Sequence, residues 1–269
     1  MGEKIAITTH KPQTTRNRIT GIKNLENGQF IFVDTPGIHK ATTPLGKYMV
    51  NTAVNTFGDM DLMLLLVETG RKIHDDDIFI LKSLQGVKAP VILAINKIDL
   101  AEKKVLLPLI DELRNLFPFR EIIPISALNG DGLNILIDMI WNILPEGPKY
   151  FPDDMITDVS ERFLAAEIIR EKITVLTHQE IPYSTAVIVD SFKEDEGRNL
   201  TRIHATINVE KKSQKGILIG KQGSMLKEIG RQARLEMENF FATRIYLELF
   251  IKVSKGWTKD SKMLKEFGY

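Results

Sequence analysis

The sequence predicts two domains: an α/β domain with a doubly wound parallel sheet, followed by a smaller α+β domain. Short apolar runs alternate with helical patterns in the first half, which is typical of a parallel sheet covered by helices. A joint with three prolines and a glycine follows, and then a helix–strand–strand–helix–helix–strand pattern. The predicted boundaries are 1–145 for the first domain, 146–157 for the linker and 158–269 for the second domain.

The first strand with a polar signature at its end is Phe30–Val33. This run is short, continuous and not alternating, so we expect a buried strand of the parallel type. It is followed by Asp34, Thr35, Pro36 and Gly37, a D-x-x-G pattern whose Pro-Gly pair turns the chain. Open α/β sheets bind ligands at this edge of the sheet, and a glycine there lets a backbone N–H approach the ligand.

Two further apolar runs end in polar signatures. Pro90–Ile95 leads into Asn96, Lys97, Ile98 and Asp99, the N-K-x-D pattern. Glu121–Ile125 leads into Ser126 and Ala127. The three signatures follow one another in the order D-x-x-G, N-K-x-D and S-A, each at a predicted strand end. Because chance rarely produces all three in order, they predict a guanine-nucleotide site.

Chemistry explains the residue types at the base end of this site. The carboxylate of Asp99 can accept hydrogen bonds from the N1–H and the exocyclic amine of guanine, a pair that adenine does not offer. Asn96 would brace the loop, the stem of Lys97 would lie along the base, and the N–H of Ala127 would donate to the guanine oxygen. The alternative is that Asn96 and Asp99 are ordinary turn or cap residues and that Ser126 with Ala127 carries no signal.

At the phosphate end, Asp34 would hold Mg²⁺ through a water and the N–H of Gly37 would meet the γ-phosphate. The polar, threonine-rich stretch Lys4–Arg18 is interpreted as a mobile loop. In a guanine-nucleotide switch such a loop supplies a hydroxyl to Mg²⁺, so Thr14 or Thr15 is a candidate ligand. The alternative is a basic, hydroxyl-rich surface loop without a ligand.

The glycine loop G-x-x-x-x-G-K-[ST] that cradles phosphates does not occur in this sequence. It should precede the first mobile loop, but the chain opens at Met1 almost within that loop. We therefore expect a protein shortened at its N-terminus, without its first strand, phosphate loop and first helix. The alternative is a chain that does not bind phosphate. Downstream, Ile19–Ile22 and Gln29–Val33 are predicted to form a hairpin at Asn27-Gly28.

In the second domain, Gly220, Lys221, Gln222 and Gly223 form a G-x-x-G turn between two predicted helices. Glycines permit close approach to a nucleic-acid backbone, the second helix favours phosphate at its amino end, and Lys221 adds charge. This is the KH clamp, which holds about four nucleotides of single-stranded RNA. The alternative is a helix-turn-helix that uses glycine for packing.

The charge distribution agrees with nucleic-acid binding. Residues 193–269 hold 16 Lys or Arg and 10 Asp or Glu. This part is therefore basic, although the net charge of the whole chain is close to zero. The sequence has no cysteine, which excludes disulfides and thiolate metal sites. It also has neither a signal peptide nor an apolar run approaching the roughly 20 residues of a membrane span, so we expect a cytoplasmic protein.

The chain resembles the Era family of GTPases over essentially its whole length. The residues that carry the resemblance are short motifs distributed along the chain: Lys11–Arg16, Val33–Gly37, Asn96–Asp99, Ile125–Ala127, Ile169–Lys172, Gly220–Gly223, Ser254–Trp257 and Leu264–Tyr269. The resemblance implies a switch that binds GTP or GDP with Mg²⁺ and hydrolyses GTP. It also implies a partner, small-subunit ribosomal RNA near its 3′ end, and a role in small-subunit assembly. The resemblance further implies a monomer and a loose association with the inner face of the cell membrane.

The resemblance also assigns residues. The first switch would comprise Gln13, Thr14, Thr15, Arg16 and Asn17, and Thr14, Thr15 and Asp34 would serve the metal. The phosphate region would be Asp34–Ile38, the base site Asn96–Asp99 with Ser126 and Ala127, and the RNA clamp Gly220–Gly223. No catalytic side chain is assignable, because Ile38 stands where Ras-like enzymes place the glutamine that orients water. Slow intrinsic hydrolysis is therefore expected. The competing hypothesis is a nucleotide-independent RNA-binding protein that uses the first domain as a scaffold.

Overall fold

The computed structural model of the protein describes residues 4–70 and 72–269, which form two compact units. The first unit comprises residues 4–37, 41–52 and 149–269, and the second comprises residues 38–40 and 53–148. These units differ from the predicted boundaries, because the N-terminal residues pack with the C-terminal half of the chain. The division into 1–145, 146–157 and 158–269 stays a prediction.

The second unit contains a three-stranded parallel sheet in the order β3 (Met63–Glu68), β4 (Val91–Asn96) and β5 (Glu121–Pro124). Its helices are α2 (Asp75–Ser83), α3 (Leu106–Leu116) and α4 (Leu133–Ile143). The central strand β4 is buried along its apolar run, as expected for a parallel strand covered on both faces. The three strands run in the same direction, so Asn96 and the residues that follow β5 lie at the same edge of the sheet.

The apolar run Asp61–Val67 predicts a buried strand, but β3, which forms there, is only partly buried. Its residues alternate between partly buried and exposed, and Leu64 and Leu66 are 36% and 52% exposed. The reason is its position, since β3 is an edge strand of the sheet formed by the described residues. A continuous apolar run therefore does not distinguish a central strand from an edge strand.

The first unit begins with a hairpin of β1 (Ile19–Leu25) and β2 (Gly28–Asp34), as the turn signal predicts. Leu25 pairs with Gly28, so the two loop residues are Glu26 and Asn27 rather than Asn27 and Gly28. The expectation of a buried, parallel-type β2 is wrong. Its partner in the described part of the chain is the antiparallel β1, and within Phe30–Val33 only Phe30 is buried.

The predicted linker is bound to this hairpin. The N–H of Ile22 donates to the carbonyl of Ile156 at 2.8 Å, and the hydroxyl of Thr157 donates to the carbonyl of Thr20 at 2.6 Å. The helix that follows the hairpin, α1 (Pro44–Thr56), places Leu45 and Met49 in a buried cluster with residues from the C-terminal end of the chain. The linker is thus fixed along the hairpin.

The rest of the first unit has the predicted helix–strand–strand–helix–helix–strand order, formed by α5 (Glu161–Leu176), β6 (Thr185–Asp195), β7 (Leu200–Val209), α6 (Lys212–Ile219), α7 (Ser224–Phe241) and β8 (Arg244–Val253), with α8 (Ser261–Glu266) after it. The sheet has the order β6-β7-β8, antiparallel and then parallel. Ser160 caps α5 by accepting from the N–H of Phe163. Buried aliphatic residues from the helices and the sheet, including Ile169, Ile207 and Ile229, form one core between the layers.

Candidate nucleotide and nucleic-acid sites

Asn96 joins two loops at the carboxyl edge of the parallel sheet. Its Oδ1 accepts hydrogen bonds from the N–H of Lys97 at 2.8 Å and from the N–H of Ala127 at 2.9 Å. One amide side chain therefore holds the loops after β4 and β5 together. The N–H of Ala127, which sequence reasoning directs at the guanine oxygen, is engaged by Asn96 in this structure.

Asp99 is exposed and is oriented by the second loop. The Ser126 hydroxyl donates to its Oδ1 at 2.6 Å, and this hydrogen bond orients the carboxylate. The Ser126 loop is closed by backbone hydrogen bonds from the Ser126 N–H to the Asp131 carbonyl and from the Gly130 N–H to the Ser126 carbonyl. A carboxylate in this setting can accept paired donors from a planar base.

Two supporting residues of this edge were not found from the sequence. Gly132 has a φ of +74°, and a side chain there would approach the Pro124 carbonyl to 2.7 Å, so glycine is required where the loop closes. The Asn-Gly-Asp-Gly run that contains it is a turn signal that could have indicated this. Glu68, at the end of β3, forms an ion pair with Lys97, whose φ of +64° is left-handed. Such a backbone conformation in a non-glycine residue is common at functional sites.

At the other predicted part of the site, the Thr15 hydroxyl lies 3.3 Å from Oδ2 of Asp34. Loss of hydration raises the pKa of Asp34, while hydrogen bonds from the Thr15 hydroxyl and the Thr35 N–H act to lower it. A carboxylate and a hydroxyl are the oxygen donors that Mg²⁺ prefers, so this pair fits the ion. Asp34, Thr35, Pro36 and Gly37 belong to the first unit.

The predicted nucleotide residues are distributed over both units. Ile38 and the base-site residues Asn96, Lys97, Asp99, Ser126 and Ala127 belong to the second unit, whereas Thr14 and Thr15 belong to the first. Within the predicted first switch, Gln13 has a left-handed φ of +56°. Asn17 accepts from the Tyr48 hydroxyl at 2.7 Å, and Arg16 is buried among residues of the C-terminal half. The structure thus brings together Asn96, Asp99, Ser126 and Ala127 in one unit, and Thr15 with Asp34 in the other.

The Gly220–Gly223 turn connects α6 to α7. Gly220, Gln222 and Gly223 have φ values of +73°, +52° and +79°, which makes a sharp turn directly before the amino end of α7. A side chain at Gly220 would lie 2.7 Å from Cβ of Met225, so only glycine fits. The corresponding position at Gly223 is open, and Lys221 and Gln222 are exposed. The turn therefore presents backbone and a cation to the surface.

A groove of about 470 Å³ begins at this turn and runs between α7 and β8. Its floor includes Leu247 and Leu249, and its α7 side carries the cations Lys227, Arg231 and Arg234. Arg231 also pairs with Glu228 at 2.6 Å, and its hydrogen bonds lower the pKa of Glu228 to about 2. An apolar floor with cations on one side is suited to unstacked bases whose phosphates follow the basic edge.

Family models match both halves of the chain. A model described as "50S ribosome-binding GTPase" matches residues 1–97, and one described as "KH domain" matches residues 180–258. The GTPase Era of Syntrophus aciditrophicus is 66% identical over 269 residues, which cover 100% of this chain and 88% of the relative. This chain belongs to the Era family of GTPases. The Era protein of Geobacter metallireducens is 54% identical over 100% of this chain and 90% of its own length.

Solved Era structures have the same fold. Era in complex with MgGDPNP and nucleotides 1506–1542 of 16S ribosomal RNA superposes with a TM-score of 0.96 at 41% identity, covering 100% of this chain and 91% of that one. An Aquifex aeolicus Era variant bound to GDP and aluminium fluoride gives 0.95 at 40% identity, covering 100% and 92%. The prediction of an Era-type α/β GTPase domain followed by a KH domain is confirmed.

Proposed function

We propose that this Era-family chain is a GTP-binding and GTP-hydrolysing switch that binds small-subunit ribosomal RNA near its 3′ end and assists assembly of the small ribosomal subunit. The observation that carries the proposal is the Asn96 bridge between two loops, next to an Asp99 carboxylate oriented by Ser126. It is supported by the Era relative whose structure contains MgGDPNP and a 16S ribosomal RNA fragment.

For the base, Asp99 accepts from the N1–H and amine of guanine, and the stem of Lys97 lies along the ring. Asn96 holds the loops after β4 and β5 together, and Ser126 orients the carboxylate of Asp99. The N–H of Ala127 donates to Oδ1 of Asn96 in this structure, so it would reach the guanine oxygen by exchanging that hydrogen bond for one to the base. These groups select guanine because they pair with its hydrogen-bonding edge, and a base without that edge leaves Asp99 unpaired.

For the phosphates, Asp34 would hold Mg²⁺, with Thr15 or Thr14 as the hydroxyl ligand. The pair of Asp34 and Thr15 at 3.3 Å supports this role because both groups are hard oxygen donors. When bound, Mg²⁺ offsets negative charge on the phosphates. The stretch Thr35–Gly37 presents backbone at the γ-phosphate.

For RNA, the exposed Lys221 and Gln222 and the glycines beside them form the clamp on the sugar-phosphate backbone. The open space at Gly223 lets that backbone approach the amino end of α7. The groove of α7 and β8 then accepts the bases that follow. Single-stranded RNA is favoured because the turn and groove offer backbone and apolar contacts to unstacked nucleotides.

Ile38 should have little part in the chemistry of hydrolysis. An isoleucine has no group that orients water, so the Ile38→Ala variant is expected to hydrolyse GTP within about threefold of the unchanged rate, well below the roughly 100-fold loss typical of a lost catalytic donor. Single-turnover hydrolysis at saturating Mg²⁺ measures this. A collapse of the rate in Ile38→Ala would show that the side chain itself arranges the reacting groups.

The proposed setting is the cytoplasm, with the small ribosomal subunit as partner and the protein as a monomer. Across residues 4–70 and 72–269, no helix combines the length and apolar character that crossing a bilayer requires. Peripheral contact with the inner face of the cell membrane stays a prediction of the family resemblance. Co-sedimentation with vesicles that contain anionic lipids tests it.

The function is tested by RNA binding in different nucleotide states. A fluorescent single-stranded RNA from the 3′ end of small-subunit ribosomal RNA is titrated with protein that holds a non-hydrolysable GTP analogue, GDP or no nucleotide. A switch predicts a difference in RNA affinity of about fivefold or more between the GTP-analogue and GDP states. Equal affinity in all three states, with no nucleotide bound in calorimetry, would instead support the nucleotide-independent RNA-binding protein.

A further inference from the structure

Arg16 is buried in a socket built by residues from the C-terminal half of the first unit. The side chain is 3% exposed although it belongs to a polar loop near the N-terminus. We use the term Arg16 socket for the groups that enclose its guanidinium: the carbonyls of Pro182, Tyr183 and Thr185 and the rings of Trp257 and Tyr269. The socket is thus made of two chain segments more than 160 positions away in sequence.

The Arg16 guanidinium is held by neutral groups. Nη1 donates to the Thr185 carbonyl at 2.8 Å and to the Tyr269 hydroxyl at 3.0 Å, and Nη2 donates to the carbonyls of Pro182 and Tyr183, both at 3.0 Å. Its central carbon lies 5.7 Å and 5.5 Å from the ring centroids of Trp257 and Tyr269, within cation–π range. A buried charge needs such a complete set of partners, so loss of one side of the socket should release the arginine.

The aromatic wall of the socket has contacts of its own. Trp257 is fully buried, and its indole N–H donates to the Ser184 carbonyl at 3.0 Å. Its ring stacks on Tyr269 at 5.8 Å with an interplanar angle of 23°. The Tyr269 ring also contacts Tyr48 edge-on at 5.9 Å. The aromatic wall is therefore held on two sides by contacts that do not involve Arg16.

Thr15, which precedes Arg16, lies at the predicted metal end of the nucleotide site, whereas Asn17, which follows it, contacts Tyr48, whose ring lies beside the socket. Thr15 donates to Asp34 at 3.3 Å, and Asn17 accepts from Tyr48 at 2.7 Å. Thr15 reaches Asp34 while the next residue, Arg16, enters the socket, so a shift of the Arg16 backbone would move Thr15 as well. Further upstream, the Lys11 ammonium donates to the Thr174 and Thr177 carbonyls at the end of α5, which fixes the loop at a second point.

We infer that Arg16 is a positioning residue for Mg²⁺-dependent GTP hydrolysis: seated in the Arg16 socket, it holds the hydroxyl of Thr15 against Asp34. The inference rests on the proposed function, because it takes Thr15 and Asp34 as the groups that serve Mg²⁺. It gives the C-terminal residues Trp257 and Tyr269 an influence on the metal end of the nucleotide site. Thermodynamic linkage is reciprocal, so binding of Mg²⁺ with GTP should in turn stabilise Arg16 in its socket.

Removing the Tyr269 ring tests the inference without changing any residue of the proposed nucleotide site. In the full chain, Tyr269→Ala is expected to raise the Mg²⁺ concentration for half-maximal GTP hydrolysis about tenfold. This is the typical size of a coupling between two sites in a protein. The rate at saturating Mg²⁺ and the affinity for GDP should stay near their unchanged values. The matched control is Tyr246→Ala, which removes an exposed tyrosine of β8 whose hydroxyl contacts Glu248.

Two further variants separate positioning from a general loss of structure. Tyr269→Phe keeps the ring and removes only one acceptor, so a smaller increase in the Mg²⁺ requirement is expected. Arg16→Lys keeps the charge, but an ammonium cannot reproduce the planar fork that reaches four acceptors, so it should behave like Tyr269→Ala. A loss of folded protein would lower the rate at every Mg²⁺ concentration without shifting the midpoint.

Hydrogen exchange on the nucleotide-free chain provides an independent measurement. Backbone amides of Thr14–Asn17 should exchange about tenfold faster in Tyr269→Ala than in Tyr246→Ala, since the seat of Arg16 orders them. Unchanged exchange in these residues overturns the inference. Normal GTP binding with an unchanged Mg²⁺ midpoint also overturns it and leaves the proposed function intact. Failure of the unchanged chain to bind or hydrolyse GTP overturns both.

Discussion

Replacing Asp99 by Asn is expected to weaken GTP binding on the order of 100-fold and to move the base preference towards xanthine. Guanine presents two donors at this position, and a carboxylate accepts both. The amide of Asn has one acceptor and one donor, so its NH₂ group faces the exocyclic amine and two donors oppose each other. One hydrogen bond to a charged group is lost and the other loses its charge, which on a scale of roughly 1.5–3 kcal/mol for a hydrogen bond to a charged group accounts for a loss of about this size.

The surroundings of residue 99 should be little changed in the Asp99→Asn variant. Oδ1 of Asp99 accepts from Ser126 at 2.6 Å, and the amide oxygen of Asn can keep that hydrogen bond. Xanthine carries an oxygen in place of the amine, which can accept from the new NH₂ group. Calorimetric titrations with GTP, GDP and the two xanthine nucleotides measure the change, and Asp111→Asn on the exposed side of α3 is the matched control. Unaltered GTP affinity in Asp99→Asn would remove this residue from the base site.

The order and type of the elements could be predicted because local patterns determine them. The helix–strand–strand–helix–helix–strand order predicted for the second domain is the order found, since caps and periodicity mark where elements begin and end. Ser160 at the start of α5 and Gly223 before α7 are such marks. A pattern of apolar residues reports which face of an element is covered, and this information is contained in a few consecutive residues.

Strand pairing was predicted less well, for a physical reason. The run Phe30–Val33 looks like a parallel strand, but its partner is the neighbouring antiparallel β1. The run in β3 looks buried, but Leu66 is half exposed because β3 lies at an edge. The apolar content of a strand indicates how much surface it can bury. Which strands pair with it depends on residues far away in the sequence.

The same limit applies to the sites. The motifs around Asn96, Asp99 and Gly220 could be found because each is contiguous and follows a strand or helix end. The burial of Arg16 could not, since its contact with Tyr269 joins residues 253 positions apart. Trp257 is likewise fully buried and stacks on Tyr269, 12 residues further along the chain. Long-range polar contacts leave no periodic signal in the sequence.

Reversing the charge of Lys221 is expected to weaken binding of single-stranded RNA by about 10- to 100-fold, with little dependence on its sequence. Lys221 is exposed in the Gly220–Gly223 turn, and in the proposed clamp its ammonium would meet phosphate rather than a base edge. A phosphate contact contributes to affinity uniformly, and its removal should lower the slope of log affinity against log salt by about 1. Fluorescence anisotropy with labelled RNA over a salt series measures both quantities for Lys221→Glu.

Lys262→Glu is the matched control because it makes the same charge change on the exposed surface of α8, in the same unit. If RNA were held only by general electrostatic attraction to a basic C-terminal part, the two variants would lose the same amount of RNA affinity. A site-specific clamp makes Lys221→Glu weaker than Lys262→Glu and changes the salt slope in the former only. The unfolding temperature should be the same in both variants, since neither lysine is buried. Equal loss of affinity in the two variants would therefore contradict a clamp at Gly220–Gly223 and leave only nonspecific attraction.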